Sequence, residues 1–384
     1  MNAINDAINY WLVIEPYVYI SLKSDLALLY NTLDGQVVES DNIRVVNMLK
    51  DLLLEKNCGV LLLKGEDYEN KDILDFVETI RDKFMGDIID VSFSNSKPVQ
   101  TLPYCNYSDI NDKLRTVTDN SYKSIMRNLL EVNINIDHTT NISDLIFFLI
   151  SLPERIVYNI FGDIKNVPCY SDLVSLLVKS PSPKYLHCSY FGIEELILEF
   201  GDKFNYKICV DFPIDHESFN KSIKLLLSEE FLYEFVFRLT SEDEYYQTEQ
   251  IIKSFAISNY KIVPIYNGSN ISFFEDEIYL TKDDILSSSL TLKELFIHQS
   301  INVFDFGKIT IMPNGDIYAN VNHPKLGNIL DDCVYEIVKR EIQNGISWYN
   351  IRNQYPCNNC LYQWLCPSPS DYEVHIGKPN LCHL

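Results

Sequence analysis

Between Lys123 and Ser288, short apolar runs alternate with helix-like stretches six times over. The runs are Leu129–Ile136, Arg155–Ile160, Tyr185–Tyr190, Tyr206–Phe212, Tyr233–Leu239 and Tyr260–Tyr266. Between them lie Ser143–Ser151, Tyr170–Lys179, Gly192–Phe200, Glu217–Ser228 and Glu242–Ile257. Repeated strand–helix units predict a parallel sheet with right-handed crossovers. Six units fall short of the eight that close a barrel, so an α/β fold built on an open, partial (β/α)6 barrel is expected.

The flanks read differently. Before the alternation, Tyr17–Ser21, Leu26–Asn31 and Gln36–Glu39 read as strands, with an Asp34-Gly35 turn favouring a hairpin. Ser40 or Asp41 can cap a helix whose one face carries Ile43, Val46, Leu49, Leu52 and Leu53. A strand at Gly59–Leu63 and a helix from Asn70 to Phe84 follow, which makes a small winged-helix-like module. The stretch from Ser94 to Ser121 is polar and turn-rich and reads as a linker. After the alternation, Lys308–Met312 and Asp316–Asn320 are strands around Pro313-Asn314-Gly315-Asp316. A helix near Val334–Ile342 comes next, then Trp348 and a run of cysteines.

Charge and composition narrow the function. The net charge of −22 makes the chain a poor non-specific ligand for nucleic acid or anionic membrane. The longest apolar runs, such as Leu145–Ile150, are too short to span a bilayer, and Met1–Asn9 lacks a secretory pattern. A cytoplasmic protein is expected. No Gly-rich phosphate loop, His-Glu-x-x-His or nucleophile elbow occurs.

Of ten cysteines, four crowd the last 28 residues: Cys357, Cys360, Cys366 and Cys382. A Cys-x2-Cys pair chelates one centre from a single turn, and the two further thiolates complete four soft ligands. Such a set selects zinc or an iron–sulfur cluster, and the spacing alone does not choose between them. His375 and His383 keep a mixed zinc site open. The plainer alternatives are buried thiols or an incidental disulfide.

The residues Pro313-Asn-Gly315-Asp316, Leu326-Gly-Asn-Ile329 and Cys357-x2-Cys360-x5-Cys366…Cys382 resemble the SPASM domain of radical S-adenosylmethionine peptide maturases. In that family the motif serves two auxiliary 4Fe–4S clusters. The resemblance places the ligands of one at Cys357, Cys360, Cys366 and Cys382. It places Ser370 and Asn320 where the other cluster has cysteines, which implies that a single cluster is retained. The six strand–helix units resemble the partial barrel of the same enzymes. There the loop after the first strand carries Cys-x3-Cys-x2-Cys; here it is Asp137-His138-Thr139-Thr140-Asn141. The Gly-Gly-Glu of the family appears only as Phe161-Gly162-Asp163. Asp137 and His138 could bind a ligand at the barrel mouth, but turn residues are the plainer reading, and the same holds for Gly162 and Asp163. S-adenosylmethionine is not expected as a cofactor, and no catalytic residue is assigned.

Tyr17–Ser40, with Leu28-Leu29-Tyr30-Asn31-Thr32 and Gly35, resembles the leader-binding module of ribosomal natural-product enzymes, which takes a peptide by strand addition. Together the resemblances imply a pseudo-radical-SAM/SPASM protein of the kind seen with Bacteroidales peptide systems whose precursors carry a Gly-Gly leader. The implied organisation is a recognition domain over 1–94, a linker over 95–122, a barrel over 123–290 and a SPASM-like domain over 300–384. The implied partners are a precursor leader peptide and an active radical maturase. Two other classes remain: a metalloenzyme using the barrel mouth for other chemistry, and a zinc-stapled peptide-binding scaffold.

Overall fold

A computed structural model describes residues 8–68, 70–106, 121–228 and 232–384. Its largest element is a mixed nine-stranded sheet. Strands β7 (Glu131–Asn135), β8 (Val157–Phe161), β9 (Lys184–Ser189), β10 (Asn205–Asp211), β11 (Tyr233–Leu239) and β12 (Tyr260–Pro264) run parallel, each beside its neighbour in sequence. The expected six-strand alternation is therefore present. The sheet then gains a seventh parallel strand from the C-terminal region. β13 (Lys308–Ile311) pairs with β7, and β14 (Asp316–Tyr318) and β15 (Gly327–Asn328) extend it antiparallel.

Sequential strand order puts successive right-handed crossovers on one side of the sheet. The side-chain pattern agrees. Val132, Ile134, Tyr158, Ile160, Leu186, Ile208, Val210, Phe235 and Phe237 are buried in one apolar core with the crossover helices. The alternate positions on the other face are mostly polar, among them Glu131, Asn133, Asn135, Asn159, His187, Lys207 and Arg238, with Val157, Phe161, Cys209 and Val236 between them. Parallel sheets are ordinarily apolar on both faces, so this mostly polar inner face is a distinctive feature.

The N-terminal region holds two sheets rather than one. β2 (Val18–Lys23), β3 (Leu26–Asn31) and β4 (Val37–Ser40) form the expected meander. The expected strand near Gly59–Leu63 is β5 (Val60–Leu63), but it does not join that meander. It pairs with β1 (Tyr10–Ile14), which also pairs with β6 (Gly86–Asp90). β1 and β6 are additions to the sequence reading. Helix α1 (Ile43–Leu52) is capped by Asn42, whose side chain accepts from Arg44 N; α3 (Lys71–Asp82), which follows the short α2 (Gly65–Tyr68), is capped by Asn70.

The β2–β3–β4 sheet is buried on both faces. Ile20, Ala27 and Leu29 pack with Val45, Val46 and Leu49 of α1. Tyr19, Leu28 and Tyr30 pack against Tyr362, Leu365 and Cys366 of the cysteine-bearing region. Burying a side chain the size of Leu28 contributes roughly 1.5–3 kcal/mol, so this is a real packing interface.

The stretch from Ser94 to Ser121, read as a linker, is described in part. Residues 107–120 lie outside the described residues. Before them, Leu102 and Cys105 are buried, and Asn106 is stitched to β2. Its Oδ1 accepts from Ile20 N at 2.8 Å and its Nδ2 donates to Val18 O at 3.1 Å. A short helix α4 (Tyr122–Met126) then leads into β7. Among the described residues, no helix is long and apolar enough to cross a membrane.

Candidate metal centre

The remaining helices place the cysteines. After β7–β12 and their crossovers α5 (Ile142–Leu149), α6 (Tyr170–Lys179), α7 (Ile193–Phe200), α8 (His216–Ser228) and α9 (Glu242–Phe255) come α10 (Ile271–Glu277), α11 (Lys282–Ser287) and α12 (Leu292–Ser300). Beyond β15 lie α13 (Val334–Asn344) and α14 (Asp371–Ile376). Cys357 opens a single 3-10 turn, Cys357–Asn359, and Cys360 N closes it onto Cys357 O at 3.0 Å. A second turn brings Cys366 N to Tyr362 O, also at 3.0 Å. Cys382 arrives from the tail by a parallel bridge to Leu280: Leu280 N donates to Leu381 O and His383 N to Leu280 O, each at 3.0 Å.

These turns bring all four cysteines to the wall of one cavity of about 380 Å³. Burial pushes the Cys366 thiol up to about 12, with Cys360, Cys382 and Cys357 adding to the rise and Arg352 opposing it. Burial also raises Cys360, with Cys357 and Cys382 as further causes and Lys23 opposing. Donors face two of the sulfurs: Asn380 Nδ2 lies 3.0 Å from Cys382 Sγ, and Arg352 Nη1 lies 3.7 Å from Cys357 Sγ. Arg352 is fixed by a buried ion pair with Glu373 at 2.9 Å.

The cavity wall is all-thiol in its metal-binding character. His375 and His383 do not line it; their ring nitrogens engage Asp371 O and Glu275 O. Among the described residues, no three His, Cys, Asp or Glu side chains are grouped to hold a single metal ion.

The two positions implied to have lost a second cluster have taken other roles. Ser370 caps α14 in a reciprocal capping box with Glu373. Asn320 Nδ2 donates to both Asp305 carboxylate oxygens, at 3.0 and 2.9 Å, and to Asp371 Oδ1 at 2.7 Å. Burial, with Asp371 adding to it, raises Asp305 to about 6. Trp348 is buried in the core of the large sheet, whereas Tyr362 and Trp364 pack with Cys360 and Cys366.

In the loop after β7, Asp137–Asn141 is a self-contained turn. Asp137 Oδ1 accepts from Thr139 N and Oγ1, Asp137 N donates to Thr140 Oγ1, and Asn141 caps α5. Gly162 has φ +107°, and a Cβ there would meet Ile136 O at 2.1 Å. Glycine is needed there for a close backbone approach, which is the plainer of its two readings. Asp163 caps the next turn by accepting from Lys165 N.

The sequence reading missed the inner face of the large sheet. A hydrogen-bonded row crosses four strands: Thr310, Asn133, Asn159 and His187 are linked at 3.4, 3.1 and 3.2 Å. His187 stacks on Phe161 with ring centres 3.9 Å apart, and burial, helped by Lys207, pushes its pKa down to about 3. A cavity of about 480 Å³ opens beside it, between Gly162, Cys209 and Arg238. The period-2 pattern Glu131-x-Asn133-x-Asn135 was the available signal.

No protein-family model and no curated protein matches the chain. Among solved structures, the crystal structure of Streptococcus suis SuiB bound to S-adenosylmethionine is similar at 12% identity, over 97% of this chain and 98% of that one, with a TM-score of 0.37.

Proposed function

We propose that the chain is an accessory protein of ribosomal peptide maturation, one that binds a precursor leader peptide and carries a single 4Fe–4S cluster for an active radical maturase. The observation that carries the reading is the convergence of Cys357, Cys360, Cys366 and Cys382 on one cavity. Four sulfurs about one zinc, at about 2.3 Å each, leave no space between them. The cavity of about 380 Å³ that the four cysteines help to line has room for a cluster. When bound, such a cluster supplies one-electron transfer or a structural staple. The chain's own residues hold and tune it: four thiolates ligate, Asn380 and Arg352 donate towards sulfur, and Tyr362 and Trp364 pack over the ligand loop.

Peptide binding is supported by the two edges of the β2–β3–β4 sheet. Asn106 already occupies the ladder positions on β2. β4 is the other edge, and its register directs the Val37 and Glu39 backbone groups away from β3. Leu33 and Phe84 stand exposed near the turn end of that edge. Lys83 Nζ donates to Val37 O at 2.6 Å, a contact that an added strand would displace. No step through S-adenosylmethionine is proposed, because the first barrel loop carries Asp137–Asn141 in place of cysteines.

The test is binding of labelled leader peptides from any precursor peptide encoded in the same operon. Val37→Pro removes an outward N–H while leaving the β3 ladder intact, so it is expected to abolish binding. Equal binding by the parent and Val37→Pro, or no binding by the parent, would sink the recognition role.

A further inference from the structure

The cysteine loop is not held by the C-terminal region alone. Lys23, the last residue of β2, reaches into it from the N-terminal module. Its Nζ donates to Asn358 O at 2.7 Å and to Gln363 Oε1 at 2.6 Å. Asn358 lies between Cys357 and Cys360, and Gln363 between Cys360 and Cys366. Gln363 also donates to Arg352 O, which joins Lys23 to the guanidinium facing Cys357. The two cations differ in one respect. Arg352 is matched by the Glu373 carboxylate, whereas both acceptors of Lys23 are neutral oxygens.

We propose that Lys23 is a positioning and charge-compensating residue for the cysteine site: the N-terminal module supplies the cation that sets the reduction potential of a cluster held by Cys357, Cys360, Cys366 and Cys382. This rests on the reading of those cysteines as cluster ligands. A cluster on four thiolates is anionic, and reduction adds one more negative charge. A half-buried ammonium with no carboxylate partner among the described residues favours the reduced form. Because Lys23 also closes two turns of the ligand loop, its loss loosens the loop as well as removing charge.

The experiment is a redox titration of the full-length, anaerobically purified, iron-loaded protein. Lys23→Met keeps the stem and drops the charge. Its midpoint potential is expected to fall, with the reduction equilibrium shifting about threefold to tenfold, up to about 59 mV for one electron. Lys23→Arg restores the parent value, and Lys253→Met, at an exposed lysine on α9, leaves it unchanged. Gln363→Glu sets a carboxylate against an intact Lys23 and lowers the potential in the same direction. It serves where Lys23→Met fails to retain iron. A loaded Lys23→Met or Gln363→Glu protein with the parent's potential overturns the proposal, as does an equal fall in Lys253→Met. A parent protein without iron and sulfide overturns the cluster reading and this inference with it; a loaded parent whose loaded variants show no shift overturns this inference alone.

Discussion

The Tyr362 hydroxyl donates to Glu39 Oε1 at 2.5 Å, so a residue between Cys360 and Cys366 is held by the edge strand β4. The other oxygen of the same carboxylate accepts from Lys282 of α11 at 2.8 Å, and the Lys282 ammonium lies 5.5 Å from the Tyr362 ring centre. One carboxylate thus ties together the N-terminal sheet, a helix that follows β12 and the cysteine loop.

That tie has a pH dependence. Burial alone would raise the Glu39 carboxyl, but donation from Lys282 and Tyr362 outweighs it and holds the group below its ordinary value. A carboxyl depressed in the folded state contributes stability above its unfolded value of about 4.3, and that contribution is lost as pH falls through the folded value. Glu39 is about one-third exposed, so solvent screening limits the effect to about 0.5–1 kcal/mol. Thermal unfolding of Glu39→Gln is expected to show that deficit at pH 7 and none near pH 3. A deficit independent of pH would contradict the assignment.

Arg352 and Glu373 are 7% and 6% exposed and pair at 2.9 Å. Removing one partner strands the other charge in the interior. Arg352→Met is expected to cost about 3–5 kcal/mol in chemical denaturation, and adding Glu373→Leu should recover much of it. A double variant no better than the single would show that the pair is not the source of the loss.

Gly162→Ala is expected to destabilise the protein by about 1–3 kcal/mol, because the positive φ and the Ile136 carbonyl both oppose a Cβ. Asp163→Asn keeps the acceptor for Lys165 N and should be near neutral. A well-tolerated Gly162→Ala would reopen a functional reading of this turn.

Glu341 is fully buried on α13. Its Oε1 accepts from Trp348 N at 2.8 Å, while Oε2 has no partner among the described residues. Burial, with Asp305 adding to it, raises the group to about 7. The stability it confers is complete below its unfolded value of about 4.3 and is lost as pH rises through about 7. Glu341→Gln should therefore lose less thermal stability than the parent between pH 5 and pH 8. Equal losses would contradict this.

The parts of the fold legible in sequence are those written locally. β7 to β12 are apolar runs separated by helices long enough to cross over, so their order follows from the chain. β1 was missed because Tyr10–Ile14 has no local partner: it pairs with β5 and β6, which lie about fifty and seventy-five residues on. β13 reads as a strand, but its pairing with β7 joins residues 177 positions apart, such as Ile309 and Val132. The cysteine set was visible because its spacing is itself the signal. Lys23, Glu39 and Arg352, which surround that set, are ordinary charged residues in sequence, and packing alone brings them together. Asn106 sat in a stretch read as a linker, since nothing local marks an asparagine as a substitute for a strand.

The most direct measurement is iron, acid-labile sulfide and zinc per chain after purification without oxygen. About four irons and four sulfides are expected, with both lost in Cys360→Ala while its far-ultraviolet circular dichroism persists. About one zinc per chain with no sulfide would contradict the cluster and reduce the four cysteines to a staple.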